Sequence, residues 1–258
     1  MNSRGLTLCI LISTSAAALP VIAVAACDAH SGPKTAALVE LYTSEGCSSC
    51  PPADQQLRRL RQALDPAAEV VPLALHVGYW DYLGWRDPWA NKSFSDRQRA
   101  YAKQWRSDSI YTPGFVLDGK EWRDWSGRKD GPKSADVKAG VLTVSSSDTN
   151  HWQVSFAPAN AASADYEVHA ALLAGGLSSN VKAGENRGRL LRHDFAVLTL
   201  VKASLLRRGD VAQGEFVLSK PRNAPESDFA LAVWITPAGR PEPLQATGGW
   251  LARTASAR

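Results

Sequence analysis

A C-x-x-C pair placed between a strand and a helix constrains this chain more than any other feature. Residues 38–57 read LVELYTSEGCSSCPPADQQL. An apolar run of Leu38, Val39, Leu41 and Tyr42 around Glu40 is broken by Ser44-Glu45-Gly46. Cys47 and Cys50 then bracket two serines and open a segment of helical character that starts with Pro51-Pro52. The first amides of a helix have no intrahelical partner, and the dipole puts partial positive charge there. A thiol at that place ionises more readily, and the thiolate is the reactive species. The order strand, C-x-x-C, helix therefore points to thiol–disulfide chemistry, with Cys47 attacking and Cys50, one turn into the helix, resolving. The bland readings of the pair are a structural disulfide or a relic carried by a binding module.

The compartment suits that chemistry. Residues 1–26 read as a secretion signal, with Arg4 ahead of an apolar stretch from Leu6 and the small residues Ala23, Ala25 and Ala26 at its end. Ser13, Ser15 and Pro20 interrupt the stretch, which makes it a poor permanent span. The expected location is periplasmic or secreted, where disulfides persist. Cys9 leaves with the signal and Cys47 pairs with Cys50, so Cys27 is left over. Val24-Ala25-Ala26-Cys27 resembles a bacterial lipoprotein box, which would lipidate Cys27 and attach the protein to a membrane. Cleavage after Ala25 or Ala26 would instead leave Cys27 as an ordinary exposed thiol, and the two readings stand side by side. The net charge of +4 is spread without a long basic run, so no nucleic-acid partner is expected.

Without the signal about 230 residues remain, enough for one large or two modest domains. The pattern predicts a strand over 36–42, a helix over 51–64 carried by Leu57, Leu60 and Leu64, and a near-continuous apolar strand over 69–77. That second strand reads as buried on both faces, as in a parallel sheet flanked by helices. Residues 78–91, GYWDYLGWRDPWAN, have no period and read as an inserted aromatic loop, which either grips substrate or forms the contact between domains. A helix over 95–106 follows, then a strand over 115–117, the Asp118-Gly119 hairpin turn, a returning strand over 121–125 and a short closing helix over 132–140. Residues 28–35 read as a flexible lead-in. From 141 to 252 short strand-like runs are separated by Gly, Ser, Asn and Pro, which predicts a β-rich, sandwich-like accessory domain.

Two separated motifs carry a resemblance. VELYTSEGCSSCPP is similar to the active-site stretch of glutaredoxins and other thioredoxin-fold proteins, and Thr112-Pro113 ahead of FVLDGK is similar to their proline-and-hairpin signature. The resemblance covers residues 36–140 and implies an α/β thioredoxin-like domain of order β-α-β-α-β-β-α. It also implies that Pro113 is cis, that the backbone there faces the reactive sulfur, and that Pro113 excludes metal and shapes a substrate groove. A further likeness is to the secreted thioredoxin-like proteins grouped as domain of unknown function 1223, which carry similar TS-x-GCSSCPPAD, HVxYWDxLGW and TP…DG segments. Gly184-Glu185-Asn186 to Asp194 extends that likeness into the second half. The chain departs from thioredoxins and glutaredoxins in Ser48-Ser49 between the cysteines. It also departs in Thr112, which resembles disulfide isomerases, and in Glu121-Trp122-Arg123, which replaces a glycine-rich glutathione contact. No cofactor is implied.

Supporting residues are fewer. By the thioredoxin resemblance, Glu40 would relay protons to the resolving thiol; the alternative is a solvated or ion-paired carboxylate, and the strand pattern does not say whether Glu40 is buried. Glu45 reads as an exposed charge. His76 ends the second strand, near the cysteines, where it raises thiolate character, joins the two sulfurs around a soft metal such as copper, or simply packs. Arg187, Arg189, Arg192 and His193 form a basic cluster that reads as a solvated face. The leading expectation is an extracytoplasmic oxidoreductase acting on a protein thiol or disulfide. The alternative is a non-enzymatic binding protein or copper chaperone.

Overall fold

A computed structural model describes residues 27–64, 69–127, 131–146, 148, 150–160 and 165–251. The signal segment 1–26 lies outside them. In chain order the elements are β1 (Cys27–His30), β2 (Ala37–Thr43), α1 (Pro51–Arg58), β3 (Val70–His76), α2 (Lys92–Trp105), β4 (Gly114–Leu117), β5 (Lys120–Glu121), β6 (Gly140–Ser146) and β7 (His151–Pro158). There follow β8 (Tyr166–Gly175), β9 (Leu177–Asn180), β10 (Leu190–His193), β11 (Ala196–Ser204), β12 (Leu206–Arg208), β13 (Val211–Val217), β14 (Asp228–Pro237) and β15 (Gln245–Trp250).

An eight-stranded mixed sheet of order β15-β14-β8-β11-β3-β2-β4-β5 runs through both halves of the chain. This overturns the expected α/β thioredoxin-like domain followed by a separate sandwich. Strands make up 44% of the structure and helices 16%, and the described residues hold two α-helices rather than three. The seam is β11, which pairs in parallel with β3 at Ala196 and Ala74 and antiparallel with β8 from Ala196 to Ser204. The apolar run of β3 signals burial on both faces, but no local feature says that its free edge takes a strand from more than a hundred residues away. One core accordingly mixes the halves: Leu41, Leu75 and Phe94 pack with Ala171, Leu173, Phe195 and Trp234.

A second sheet, β1-β6-β7-β13-β12, covers the other end of the large one. Its alternating inward residues Leu142, Val144, Trp152, Val154 and Phe156 meet Val168, Ala170, Leu231, Val233 and Ile235. Each fully buried aliphatic or aromatic side chain there contributes about 1.5–3 kcal/mol.

Three local expectations also change. The lead-in is partly ordered, because Cys27–His30 is β1 and pairs with β6 from Ser146 to Thr143. The returning strand shrinks to Lys120–Glu121, and Arg123–Ser126 turns as a short 3-10 segment that brings Trp122 and Trp125 onto Phe115. Residues 132–140 form no helix, and Lys138 instead makes an isolated bridge to Lys34. Ala135, Val137 and Ala139 recur every second residue, a spacing that suits an extended chain.

Candidate active site

The cysteines sit where β2 runs into α1. Every residue of β2 from Ala37 to Thr43 is buried. The chain leaves it through Ser44, whose carbonyl accepts from the Cys47 N–H at 3.2 Å and whose hydroxyl accepts from the Gly46 N–H at 3.1 Å. Gly46 is required because a Cβ there would lie 2.8 Å from Trp80 Cβ. Cys50 caps α1 without a side-chain hydrogen bond to it, and Pro51 and Pro52 fill the first helical positions, where a missing N–H costs nothing. Both cysteines are free thiols and both are buried, Cys47 being 1% exposed and Cys50 fully enclosed.

Two thiols of unlike character result. The hydrogen bond from Cys50, opposed by burial and aided by Ser49 and Thr112, brings the Cys47 thiol down to about 6. Ser49 Oγ lies 3.2 Å from Cys47 Sγ. Burial, then the adjacent Cys47 sulfur and the Asp54 charge, hold the Cys50 thiol well above its ordinary value. At neutral pH this is a thiolate beside a thiol.

Thr112 and Pro113 approach from the far side. The Thr112–Pro113 bond is cis, and the Thr112 carbonyl oxygen is 3.8 Å from Cys47 Sγ. The Thr112 hydroxyl accepts from Trp80 Nε1 at 2.8 Å, which ties the aromatic insert to this wall. A second insert ring, Trp85, donates through Nε1 to Glu45 Oε2 at 2.7 Å. The insert is thus part of the site's frame, and Tyr82 at its tip is exposed.

Glu45 is fully buried, contrary to the exposed charge read from sequence. Burial pushes its carboxyl up, but His193 and a hydrogen bond from Ser179 together outweigh this and leave it below the ordinary value. His193 Nε2 donates to Glu45 Oε1 at 3.0 Å. His193 is therefore no member of a solvated basic face. It is buried at the end of β10, and its Nδ1 lies 3.8 Å from Asp54 Oδ2. His76 meets His193 edge-on at 4.8 Å between ring centroids. Its Nδ1 donates to Asp87 Oδ2 at 2.8 Å, and although burial works against protonation, the Asp87 carboxylate raises its pKa overall. Asp87 also accepts from the backbone of Glu45 and of Trp89. Five buried titratable groups, Glu45, Asp54, His76, Asp87 and His193, thus lie behind the two sulfurs. No group of three His, Cys, Asp or Glu side chains among the described residues is arranged to hold a metal ion.

Glu40 is not in this cluster. It is fully buried and binds Arg97 Nε at 2.6 Å and Nη2 at 2.9 Å, with Tyr101 donating at 2.6 Å and Tyr42 at 3.1 Å. These bonds occupy its carboxylate on the face towards α2, and among the described residues none of its partners is hydrogen-bonded to a cysteine. Cys27 begins β1 opposite Ser146, in the second sheet and not at the dithiol.

The second half supplies what the sequence reading missed. Asn186 is fully buried, and its Nδ2 donates to both Glu45 O and Cys47 O at 2.9 Å. Arg189 orients it by donating to Asn186 Oδ1 at 2.8 Å. Glu185 accepts the Ser48 N–H at 2.8 Å. Gly184, at φ 73°, turns the loop beside Leu83 and Trp85. Only Asp54 had a local signal, being four residues past Cys50 on the same helical face.

With the dithiol, the aromatic insert and the 184–186 loop in one place, the relatives can be considered. The model of a family described as a protein of unknown function (DUF1223) matches residues 38–236. The chain belongs to the DUF1223 family. That match spans every residue named at the dithiol, from Ser44 to His193. No curated protein sequence matches the chain. Among solved structures, a crystal structure of an Agrobacterium tumefaciens protein is 21% identical, with a TM-score of 0.54, covering 87% of this chain and 97% of that one. HBP35 of Porphyromonas gingivalis is 13% identical, with a TM-score of 0.56, covering 88% of this chain and 79% of that one. These likenesses extend the fold, sheet and all, to other bacterial proteins.

Proposed function

We propose that this DUF1223 protein is a thiol–disulfide oxidoreductase of the extracytoplasmic space, with Cys47 as nucleophile and Cys50 as resolving thiol. The observation that carries the reading is the placement of the pair: two free thiols at the start of one helix, with Ser49 Oγ 3.2 Å and the Thr112 carbonyl oxygen 3.8 Å from Cys47 Sγ, which leaves the Cys47 thiol lowered beside a raised Cys50 thiol. The Cys47 thiolate attacks one sulfur of a substrate disulfide. The substrate S–S bond breaks, its electron pair leaves on the second sulfur, and a mixed disulfide forms. Cys50 then attacks Cys47 Sγ, the Cys47–Cys50 bond forms, and the reduced substrate leaves. The reverse sequence oxidises a dithiol, and the direction follows the potential of the couple relative to its surroundings. Likeness to thioredoxin-type oxidoreductases, on this reading, is a likeness of site: a C-x-x-C opening a helix with Thr112-Pro113 facing it. The signal-like segment over 1–26 supports secretion, and a lipidated Cys27 would keep the protein at a membrane.

Thiol trapping of the intact protein across a series of dithiothreitol buffers tests the reading. The expected result is one reversible two-electron couple between Cys47 and Cys50, with Cys50→Ser accumulating a mixed disulfide and Cys47→Ser inert. A pair that never oxidises, or exchange that survives in Cys47→Ser, overturns it.

A further inference from the structure

The exchange reading leaves one proton unaccounted for. Cys50 is a thiol when the mixed disulfide forms and must lose its proton to attack Cys47. It has no exposed surface through which to lose it. The acceptor has to be a buried base, and Glu40, saturated by Arg97, Tyr101 and Tyr42, points elsewhere.

Asp54 meets the requirement by position. It lies four residues after Cys50 in α1, its N–H bonded to the Cys50 carbonyl at 3.1 Å, so the two side chains share one face of the helix. Its carboxylate is almost fully enclosed and faces two imidazoles supplied by other elements. The hydrogen bond to Glu45 puts a proton on His193 Nε2, and Nδ1, turned to Asp54, has no hydrogen-bond partner. His76 Nδ1 is committed to Asp87, and its Nε2 likewise has no partner. A buried carboxylate beside two unengaged imidazole nitrogens is equipped to hold one proton more or less.

Resting on the oxidoreductase reading, we propose that Asp54 accepts the Cys50 proton during resolution, and that His193 and His76 are positioning residues that set the pH at which it can. In the step, the Cys50 S–H proton passes to the Asp54 carboxylate, and the Cys50 thiolate attacks Cys47 Sγ. The Cys47–Cys50 bond forms, the Cys47–substrate S–S bond breaks, and the electron pair leaves on the substrate sulfur. Reduction of the disulfide returns the proton. The groups that face Asp54 are Cys50 on its own helix, His193 on β10, His76 on β3 and, beyond them, Glu45 and Asp87. Burial raises the Asp54 carboxyl; the two imidazoles oppose that rise without cancelling it, so Asp54 is a stronger base than an exposed aspartate.

The test uses the intact chain loaded at Cys47 with 5-thio-2-nitrobenzoate, and follows release of the coloured thiol by stopped flow from pH 5 to 9. In the wild type, release should rise as Asp54 deprotonates and then level off. In Asp54→Asn, formation of the mixed disulfide should be unchanged. Release at pH 7 should fall by about 100-fold, the low end for removal of a general base. It should also climb about tenfold per pH unit as hydroxide becomes the acceptor. Release within twofold of wild type with the same pH profile overturns the proposal and leaves the oxidoreductase reading intact. A wild type that never releases the thiol ends both. If Asp54→Asn does not fold, His193→Gln decides. Removing an imidazole that lowers the Asp54 pKa should move the wild-type profile to higher pH, and an unmoved profile overturns the proposal.

Discussion

His193 and Glu45, 148 residues apart, share a 3.0 Å hydrogen bond in the buried interior directly behind the dithiol. Through it a strand of the second half fixes the loop that carries the first cysteine. The loop that carries Cys47 is thus held by the second half of the chain as well as by its own motif.

The pH dependence of Cys47 follows from its lowered value. Alkylation by iodoacetamide should follow a single titration with a midpoint of about 6, while Cys50 stays unreactive through pH 9. The stability consequence has a definite sign. Cys47 ionises more readily folded than unfolded, so its contribution is complete above the unfolded thiol value and is lost as pH falls through about 6. Urea titrations of the reduced protein against Cys47→Ser should show the difference growing between pH 6 and 9. A difference independent of pH would contradict the assignment.

Glu40 is expected to matter for stability and not for exchange. Glu40→Gln leaves the Arg97 guanidinium buried with half its partner, and breaking a buried pair costs about 3–5 kcal/mol. Denaturant unfolding should register that loss. The midpoint of Cys47 alkylation should stay in place, and a shift of a full unit would return Glu40 to the site.

Asn186 gives a different signature. Asn186→Ala strips the donor from two buried carbonyls, those of Glu45 and Cys47, at a cost of about 1–3 kcal/mol. Because those carbonyls hold the cysteine loop, alkylation of Cys47 should also accelerate as the loop loosens. Loss of stability without any change at the thiol would confine Asn186 to packing.

Glu185 is exposed, and Glu185→Gln should leave unfolding unchanged. The Ser48 N–H it accepts adjoins Cys47. Removing the negative charge favours the thiolate, so the alkylation midpoint should drop. A rise in that midpoint would show that Glu185 acts through loop geometry instead.

The strand–C-x-x-C–helix order, the buried character of β2 and β3 and the alternating strands of the second half were all legible along the chain. They depend on spacing between near neighbours: the four residues from Cys47 to Cys50, the two-residue period of β6 and β7, the turn at Asp118-Gly119. Even the link from Cys50 to Asp54 is written in helical spacing. Pairing of β11 with β3, burial of Glu45 and the meeting of Asn186 and His193 with the cysteine loop were not. A β-strand edge accepts any strand that offers backbone donors and acceptors in register, so local pattern does not choose between β11 and a helix as the neighbour of β3. Whether Glu45 and His193 are solvated or buried depends on which partner covers them, and each is covered by the other. Near-neighbour spacing was enough to place a dithiol at the start of a helix. Its shelter, and the buried carboxylates and imidazoles behind it, came from long-range pairing: β11 joins β3, and His193 and Asn186 are carried inward.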